Sequence, residues 1–312
     1  MVFIVVSEIK LSTWKIAITL SIVIVIIILY TIYFGIDPAI LLSIDPLILA
    51  LAIIIYTLSW IISGIRLKII HLSVSGKVLG LLDYLYARLL GGLIAYLTPS
   101  AMGGEPARAY YLSKKTGDDI ATGFAVAIYE LFIDIIFINV LAIIYSINYL
   151  LMSLPVILVS AFVLFTWTTL FLGVVYRNKI IDKLFQFLIK FLPETIREKY
   201  NIFTESIRLI TKFIIRPHRV VMIILSTVAM HLLTGAVIYI ISIGYGGTSL
   251  LQAFQAYLFA LALGALPSPG GAFAVEYGLT ITLKPAAVVT SRVLMYFYTV
   301  ITGLYVLTRI RD

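Results

Sequence analysis

The chain of 312 residues is 62% hydrophobic and only 12% charged, and its mean hydropathy is +1.11. Soluble domains carry roughly 45–50% apolar residues, so this composition excludes an ordinary soluble fold and predicts an all-α, polytopic membrane protein with one membrane domain over residues 1–312. The net charge of +8 fits the Lys and Arg excess of cytoplasmic loops better than nucleic-acid binding. The absence of cysteine excludes disulfides, thiolate metal sites and cysteine nucleophiles.

Apolar windows of about 20 residues predict six full membrane-spanning helices. They fall at 14–34, 46–65, 119–147, 154–176, 219–243 and 286–308. The first window is too long for the core of a signal peptide, and no small-residue cleavage site follows it. We therefore expect it to remain as a span.

Two further apolar stretches, 79–113 and 250–283, are interrupted by Pro and Gly in their middle, as "TPSAMGGEPAR" and "LPSPGGAFAVE" show. Because Pro and Gly break helices, each stretch predicts a re-entrant helical hairpin. The residues expected at the two hairpin tips are Pro99, Gly103, Gly104, Pro267, Pro269, Gly270 and Gly271.

The charge of the links between spans predicts the orientation. The links 35–45 and 148–153 contain no Lys or Arg, whereas 66–77 holds three bases, starting with Arg66, and 177–219 holds ten. By the positive-inside rule the basic links are cytoplasmic, which places both termini in the cytoplasm of a multi-pass protein of the cell membrane. The first hairpin then enters from the cytoplasm and the second from outside.

The order of spans and hairpins predicts an inverted-topology repeat. Residues 14–147 form the first repeat and 154–308 the second, with the same Pro-Ser-(x)-Gly-Gly break in each hairpin. Such repeats are typical of secondary transporters, which bind substrate at the repeat interface. A chance pairing of alternating spans is the alternative. The second repeat alone carries a basic amphipathic insertion, 177–216, which is expected on the cytoplasmic membrane surface.

Charges inside the apolar stretches are the candidate functional groups, because a charge at the centre of a span costs roughly 2.5–3.5 kcal/mol. The eight such residues are Asp83, Arg88, Glu105, Arg108, Glu130, Asp134, Glu276 and Arg292. Glu130 and Asp134 are four residues apart and share a helix face, so a cation or a proton is expected beside them. Asp83 and Arg88 are as compatible with a structural ion pair as with a functional role. His231, inside the fifth predicted span, is expected to be a hydrogen-bonded packing residue.

The helices that restart after the two breaks place N-termini with free amides inside the membrane. Together with three arginines they predict a cradle for an anionic lipid headgroup. The residues expected to bind or transport the substrate are Arg88, Glu105, Arg108, Glu130, Asp134, Glu276 and Arg292. Five acids against three arginines leave carboxylates in surplus, which could carry protons or face a cationic headgroup.

Four ordered motifs are similar to those of a known family. They are "TPSAMGGEPARAYYL", "YELFIDII", "PSPGGAFAVE" and "SRVLMYFYTVITG". From about residue 50 to 308 the chain resembles the flippase-like transmembrane region of lysylphosphatidylglycerol synthases, as a stand-alone member without the aminoacyltransferase domain. One departure is Leu131, which stands where the family has an arginine, so only Glu130 and Asp134 of that motif carry over.

The resemblance implies a lipid translocase that moves a phospholipid, a glycolipid or a polyprenyl-phosphate-linked lipid between leaflets. The expected partners are that lipid and, as a coupling ion, protons; a homodimer is compatible with the sequence, and neither a cofactor nor a metal is expected. The alternative is a membrane enzyme acting on polyprenyl (pyro)phosphate, with Ser100 or Ser268 as nucleophile, although neither serine has a base beside it. A purely structural protein would leave the buried charges unexplained.

Overall fold

The computed structural model describes residues 43–98, 103–176, 199–266 and 273–311, together with 21, 24, 25, 28–33, 35–37, 39, 40 and 183. Throughout this part of the chain the regular structure is helical. The helices are α1 (Pro46–His71), α2 (Leu81–Tyr96), α3 (Gly104–Thr116), α4 (Ile120–Ser146), α5 (Leu150–Val175), α6 (Tyr200–Ile214), α7 (Pro217–Ile243), α8 (Leu250–Leu263), α9 (Ala274–Thr280) and α10 (Pro285–Arg311), with a 3₁₀ turn, Ile147–Tyr149, between α4 and α5.

Four apolar helical stretches in the described residues are long enough to cross a membrane: Pro46–His71, Ile120–Val175, Pro217–Ile243 and Pro285–Ile310. The second has 56 residues and contains α4 and α5, which fold back on each other. These stretches make the chain a multi-pass α-helical membrane protein. The predicted span 14–34 lies largely outside the described residues, so the number of six spans stays a prediction.

Two aspartates begin long helices where the apolar windows begin. Asp45 Oδ1 accepts a hydrogen bond from the Leu47 amide at 2.8 Å, and Asp119 Oδ1 accepts one from the Ala121 amide at 2.8 Å. An N-cap of this kind satisfies a backbone donor that has no partner within the helix. The start of α4 therefore agrees closely with the predicted span 119–147.

The end of α1 corrects the predicted span 46–65. The helix continues to His71, so Arg66 is a buried helical residue rather than the first base of a cytoplasmic link. An apolar window ends at the first charged residue, but a helix continues through that residue when the charge finds a buried partner. The link shortens to 72–80, and Lys77 is its one base.

One end of the helix bundle joins the C-termini of α1 and α10 to the start of α4. His71 Nε2 lies 3.7 Å from Asp118 Oδ2. Lys114 Nζ donates a hydrogen bond of 3.0 Å to the carbonyl oxygen of Ile310. We call this the basic end.

The opposite end, which we call the far end, joins the C-terminus of α7 to the start of α10, and α9 to the start of α5. Lys284 Nζ donates a hydrogen bond of 3.0 Å to the carbonyl oxygen of Tyr245. The Tyr277 hydroxyl donates one of 2.7 Å to the carbonyl oxygen of Met152. The long helices run between these two ends.

Two pairs of shorter helices start from opposite ends of the bundle. In the α2–α3 pair, Lys115 Nζ lies 3.5 Å from Asp83 Oδ1 at the basic end. In the α8–α9 pair, Thr282 Oγ1 donates a hydrogen bond of 2.8 Å to the Gln252 carbonyl oxygen at the far end. The predicted tip residues outside the described part of the chain are Pro99, Pro267, Pro269, Gly270 and Gly271. Re-entry into a membrane stays a prediction for both pairs.

The contacts between the halves of the chain follow a reciprocal pattern. Helix α1 packs on α7, α2 packs on α10, and α8 packs on α4. The second predicted span of each half thus packs on its counterpart, and the first helix of each shorter pair packs on the last helix of the other half. The described part of the basic insertion, α6, packs on α4 and α5 and buries Ile207 and Ile210.

Candidate functional site

Charged side chains from four helices meet inside the bundle, around Glu130. Helices α1, α2, α3 and α4 contribute them, and these helices are in contact. We call this group the arginine network; its members are Arg66, Arg88, Glu105, Arg108, Glu130 and Asp134.

Arg66 joins the two acids of α4. Its Nη2 lies 3.1 Å from Glu130 Oε1 and 2.7 Å from Asp134 Oδ2. Its Nη1 also donates to Thr227 Oγ1 of α7, at 3.1 Å. Arg66 and Glu130 are both 0% exposed. The cation expected beside the two acids is therefore a side chain of the protein, and it neutralises their repulsion.

Two further arginines reach the other oxygen of the same glutamate. Arg88 Nη1 donates to Glu130 Oε2 at 3.0 Å, and Arg108 Nη1 donates to it as well. The guanidinium of Arg88 lies 5.8 Å from the centre of the Trp60 ring, where the ring quadrupole attracts a cation. The Arg88 side chain is 16% exposed, and its buried Nε has no hydrogen-bond partner in the described structure.

Helix α3 positions Arg108 one turn after the helix break. Arg108 Nη2 donates to Glu105 Oε1 at 2.8 Å, as the i, i+3 spacing predicts. Gly91 of α2 makes room for this side chain: a Cβ at residue 91 would lie 2.8 Å from Arg108 Cγ and 3.1 Å from the Gly104 carbonyl oxygen. The absence of a side chain at Gly91 therefore allows α2 and α3 to pack closely and leaves space for the Arg108 side chain between them.

His231 extends the network towards the second half of the chain. Its Nε2 lies 3.1 Å from Asp134 Oδ1, and its Nδ1 lies 2.7 Å from the Tyr257 hydroxyl. The ring stacks on Phe137 with 4.9 Å between ring centres. The prediction of a hydrogen-bonded packing residue is confirmed, and Tyr257 of α8 is a partner that the sequence did not indicate. In the described part of the chain no group of three His, Asp or Glu side chains could hold a metal ion.

The partners of the acids correct two expectations. Asp83 does not pair with Arg88: it accepts a hydrogen bond of 3.0 Å from the Tyr111 hydroxyl and lies 3.5 Å from Lys115. Arg66 adds a third arginine to the network, so three arginines face three carboxylates there. The predicted surplus of carboxylates was counted without Arg66 and Lys115, and it is absent among the described residues.

A second buried pair lies in the other half of the chain. Arg292 Nε of α10 donates to Glu276 Oε1 of α9 at 2.7 Å. Glu276 Oε2 is buried without a hydrogen-bond partner in the described structure. Phe273, immediately before α9, has φ = 65°, a left-handed conformation that is costly for an aromatic residue. The three arginines expected in one cradle are thus divided, since Arg88 and Arg108 share Glu130 and Arg292 binds Glu276.

The sequence reasoning missed Arg66 and its role. Two signals could have found it. The apolar pattern resumes after it with Ile69 and Ile70, so the helix need not end there. The pair Glu130 and Asp134 also required a cation or a proton, and Arg66 directly follows the predicted span 46–65.

An all-helical bundle with several membrane-crossing stretches and a buried ion network defines a multi-pass membrane protein with a polar site among its helices. The chain belongs to the family described as the lysylphosphatidylglycerol synthase transmembrane region, whose model matches residues 14–309. This membership indicates a function related to membrane lipids. No curated protein and no solved structure matches the chain.

Proposed function

We propose that this chain is a lipid translocase, which moves a lipid with an anionic headgroup between the leaflets of the cell membrane. The observation that carries the proposal is the convergence of Arg66, Arg88 and Arg108 on the one carboxylate of Glu130. Guanidinium groups bind carboxylate and phosphate oxygens with the same geometry. A site built to hold three of them around one anion therefore suits a lipid phosphate.

The three arginines have different roles in this proposal. Arg66 is enclosed and bonded to two carboxylates and a threonine, so it holds Glu130 in place. Arg88 is partly exposed and keeps a donor free, so it is the group that can turn to a headgroup. Arg108 lies in the first turns of α3, which begins at Gly104 directly after the helix break. A small movement of α3 would carry the Arg108 guanidinium from Glu130 towards a substrate.

The proposed route uses both helix pairs. The α2–α3 pair starts at the basic end and the α8–α9 pair at the far end, which is the arrangement that an inverted repeat of re-entrant hairpins requires. We infer that the basic end is cytoplasmic, with both termini there. The headgroup passes from the arginine network to Glu276 and Arg292, or in reverse, while its lipid tails stay in the bilayer.

The test is a leaflet-accessibility assay in proteoliposomes with labelled anionic phospholipid, glycolipid and prenyl phosphate. Wild-type protein should equilibrate at least one of them between leaflets. Glu130→Gln and Arg292→Ala should slow this movement about tenfold or more. Glu130→Gln removes the negative charge that accepts hydrogen bonds from three arginines, Arg292→Ala removes the bond to Glu276, and one charge-assisted hydrogen bond contributes about 1.5–3 kcal/mol. Glu205→Gln, which alters an exposed glutamate on α6, is the matched control and should retain wild-type rates.

Folded protein that moves none of these lipids would contradict the proposal. Release of phosphate from a prenyl pyrophosphate would instead support the alternative, a membrane enzyme, whose candidate nucleophiles Ser100 and Ser268 lie outside the described residues. The described His231 is a poor base for that chemistry, since both of its ring nitrogens already have partners.

A further inference from the structure

The buried glutamates Glu130 and Glu276 differ in the number of cations that they hold. Glu130 accepts hydrogen bonds from three arginines of the arginine network, through both of its oxygens. Glu276 is 3% exposed and pairs through Oε1, with Arg292 Nε at 2.7 Å. When one arginine turns away, Glu130 therefore keeps two others, whereas Glu276 loses its one cation in the described part of the chain.

The second oxygen of Glu276 is placed to bind a proton. Glu276 Oε2 is buried and has no hydrogen-bond partner in the described structure. Burial favours the neutral form of a carboxyl group, and a neighbouring cation favours the charged form. A buried carboxylate that loses its cation is costly, so it is neutralised by a proton instead.

The described groups around Glu276 include no second cation. Helix α8, which packs on α9, contains no Asp, Glu, Lys, Arg or His from Leu250 to Leu263. The other titratable groups that interact with the Glu276 charge are the phenols of Tyr30 and Tyr96. A phenol is neutral at physiological pH. The charge on Glu276 is therefore balanced only while the guanidinium of Arg292 lies beside it.

Arg292 is the group that changes partner, because Glu276 is held in place. A Cβ at Gly278 of α9 would lie 2.6 Å from the Ala260 amide nitrogen, so α9 packs directly on the backbone of α8. Arg292 also donates a hydrogen bond to the Tyr96 hydroxyl of α2, so its side chain contacts both helix pairs. Guanidinium groups bind carboxylate and phosphate oxygens with the same geometry, so a phosphate competes with Glu276 for Arg292.

We propose that Glu276 is a proton-binding site, which is occupied when Arg292 turns from Glu276 to an anionic headgroup. One O–H bond forms in this step: a proton from water binds Glu276 Oε2 as the guanidinium leaves Oε1. The proton returns to water when the headgroup leaves and the guanidinium pairs with Glu276 again. One proton and one lipid are then carried together. This coupling rests on the proposed translocation, whereas proton binding by Glu276 does not.

Infrared spectroscopy of the full chain in dodecyl maltoside, a detergent without carbonyl groups, tests proton binding alone. Arg292→Gln removes the guanidinium, so its spectrum at neutral pH should contain the C=O band of one protonated carboxyl group that the wild-type spectrum lacks. Arg292→Gln combined with Glu276→Gln should lose this band. Arg88→Gln is the matched control and should add no band, because Glu130 keeps two arginines. No added band in folded Arg292→Gln, or an equal band in Arg88→Gln, would overturn the proposal.

Proteoliposomes with a pH difference of one unit and no membrane potential test the coupling, with the same three labelled lipids. A lipid that wild-type protein moves should accumulate about tenfold in the leaflet facing the more alkaline side, because one proton per lipid transmits a tenfold difference in proton concentration. Glu276→Gln has no proton to exchange and leaves Arg292 free to turn, so it should still move the lipid but distribute it evenly. Glu205→Gln, at an exposed glutamate of α6, should accumulate the lipid as wild type does.

The two measurements separate failure of this proposal from failure of the proposed function. Lipid movement in the wild type that ignores the pH difference, or accumulation that Glu276→Gln retains, would overturn the coupling and leave the translocase intact. Movement of none of the lipids would contradict the translocase and the coupling with it. The infrared spectra would then still decide whether Glu276 binds a proton.

Discussion

Arg66 and Arg88 bind the same glutamate but are enclosed to different degrees, so we expect one to govern folding and the other function. Arg66→Met removes the guanidinium that bonds to Glu130, Asp134 and Thr227. Removing one partner of a buried ion pair typically costs about 3–5 kcal/mol, because the remaining charge is left without a partner. We predict a fall of that size in the free energy of unfolding, measured by denaturation in detergent.

A double variant provides the control for Arg66. Arg66→Met with Asp134→Asn removes a cation and an anion together and should recover part of the lost stability. A melting temperature for Arg66→Met equal to that of wild type would contradict the structural role assigned to this residue.

Arg88→Gln should have the opposite effect, a small change in stability and a large change in the rate of lipid movement. Glu130 keeps Arg66 and Arg108 as partners when Arg88 is replaced, so the free energy of unfolding should fall by less than it does for Arg66→Met. The rate of lipid movement in proteoliposomes should fall about tenfold or more, because the partly exposed cation is lost. Arg309→Gln, at an exposed arginine of α10, is the matched control; equal rates for both variants would count against Arg88 as a substrate-binding residue.

At the scale of the helices, local signals in the sequence predict much of what is observed. The apolar window 119–147 gives the start of α4 within one residue, and the window 219–243 gives the start of α7, at Pro217, within two. The predicted end of α1, at residue 65, was wrong because the helix continues to His71 for a reason that lies far away in the sequence. Arg66 remains in a helix since its partner Glu130, 64 residues later, lies beside it in the fold, and no apolar window contains that information.

Close packing between helices gives a prediction for each half of the chain. A Cβ at Gly123 would lie 2.7 Å from the Ala109 carbonyl oxygen, and one at Gly278 would lie 2.6 Å from the Ala260 amide nitrogen. Both neighbours are backbone atoms of another helix, which cannot move alone. Gly123→Ala and Gly278→Ala should therefore each lower the free energy of unfolding by about 1–3 kcal/mol.

The control for these glycines is Gly76, in the exposed link before α2. A Cβ there meets no atom within 4 Å, so Gly76→Ala should leave the melting temperature within about one degree of wild type. The helix packing described above would be wrong if Gly278→Ala were as stable as Gly76→Ala.

At the scale of the whole molecule, the sequence predicted which charged residues are buried among the helices better than how they are grouped. Every described residue expected to bind substrate is buried or partly buried and ion-paired. The division between the network at Glu130 and the pair at Glu276 was not foreseen, because the helix order along the chain does not say which helix pair packs on which long helix. The grouping follows contacts within each half, since α1 and α3 pack on α4 in the first and α9 packs on α10 in the second.

The two ends of the bundle give the last prediction, for which the cysteine-free sequence is convenient because a single introduced thiol has no background. Gly76→Cys places a thiol in the exposed link at the basic end, and Asn148→Cys places one in the exposed turn at the far end. If the basic end is cytoplasmic, a membrane-impermeant maleimide should label Asn148→Cys in intact cells and Gly76→Cys only after permeabilisation. The reverse pattern would invert the proposed orientation. Labelling of both thiols from one side would contradict the fold, since the long helices of the described chain run between these ends.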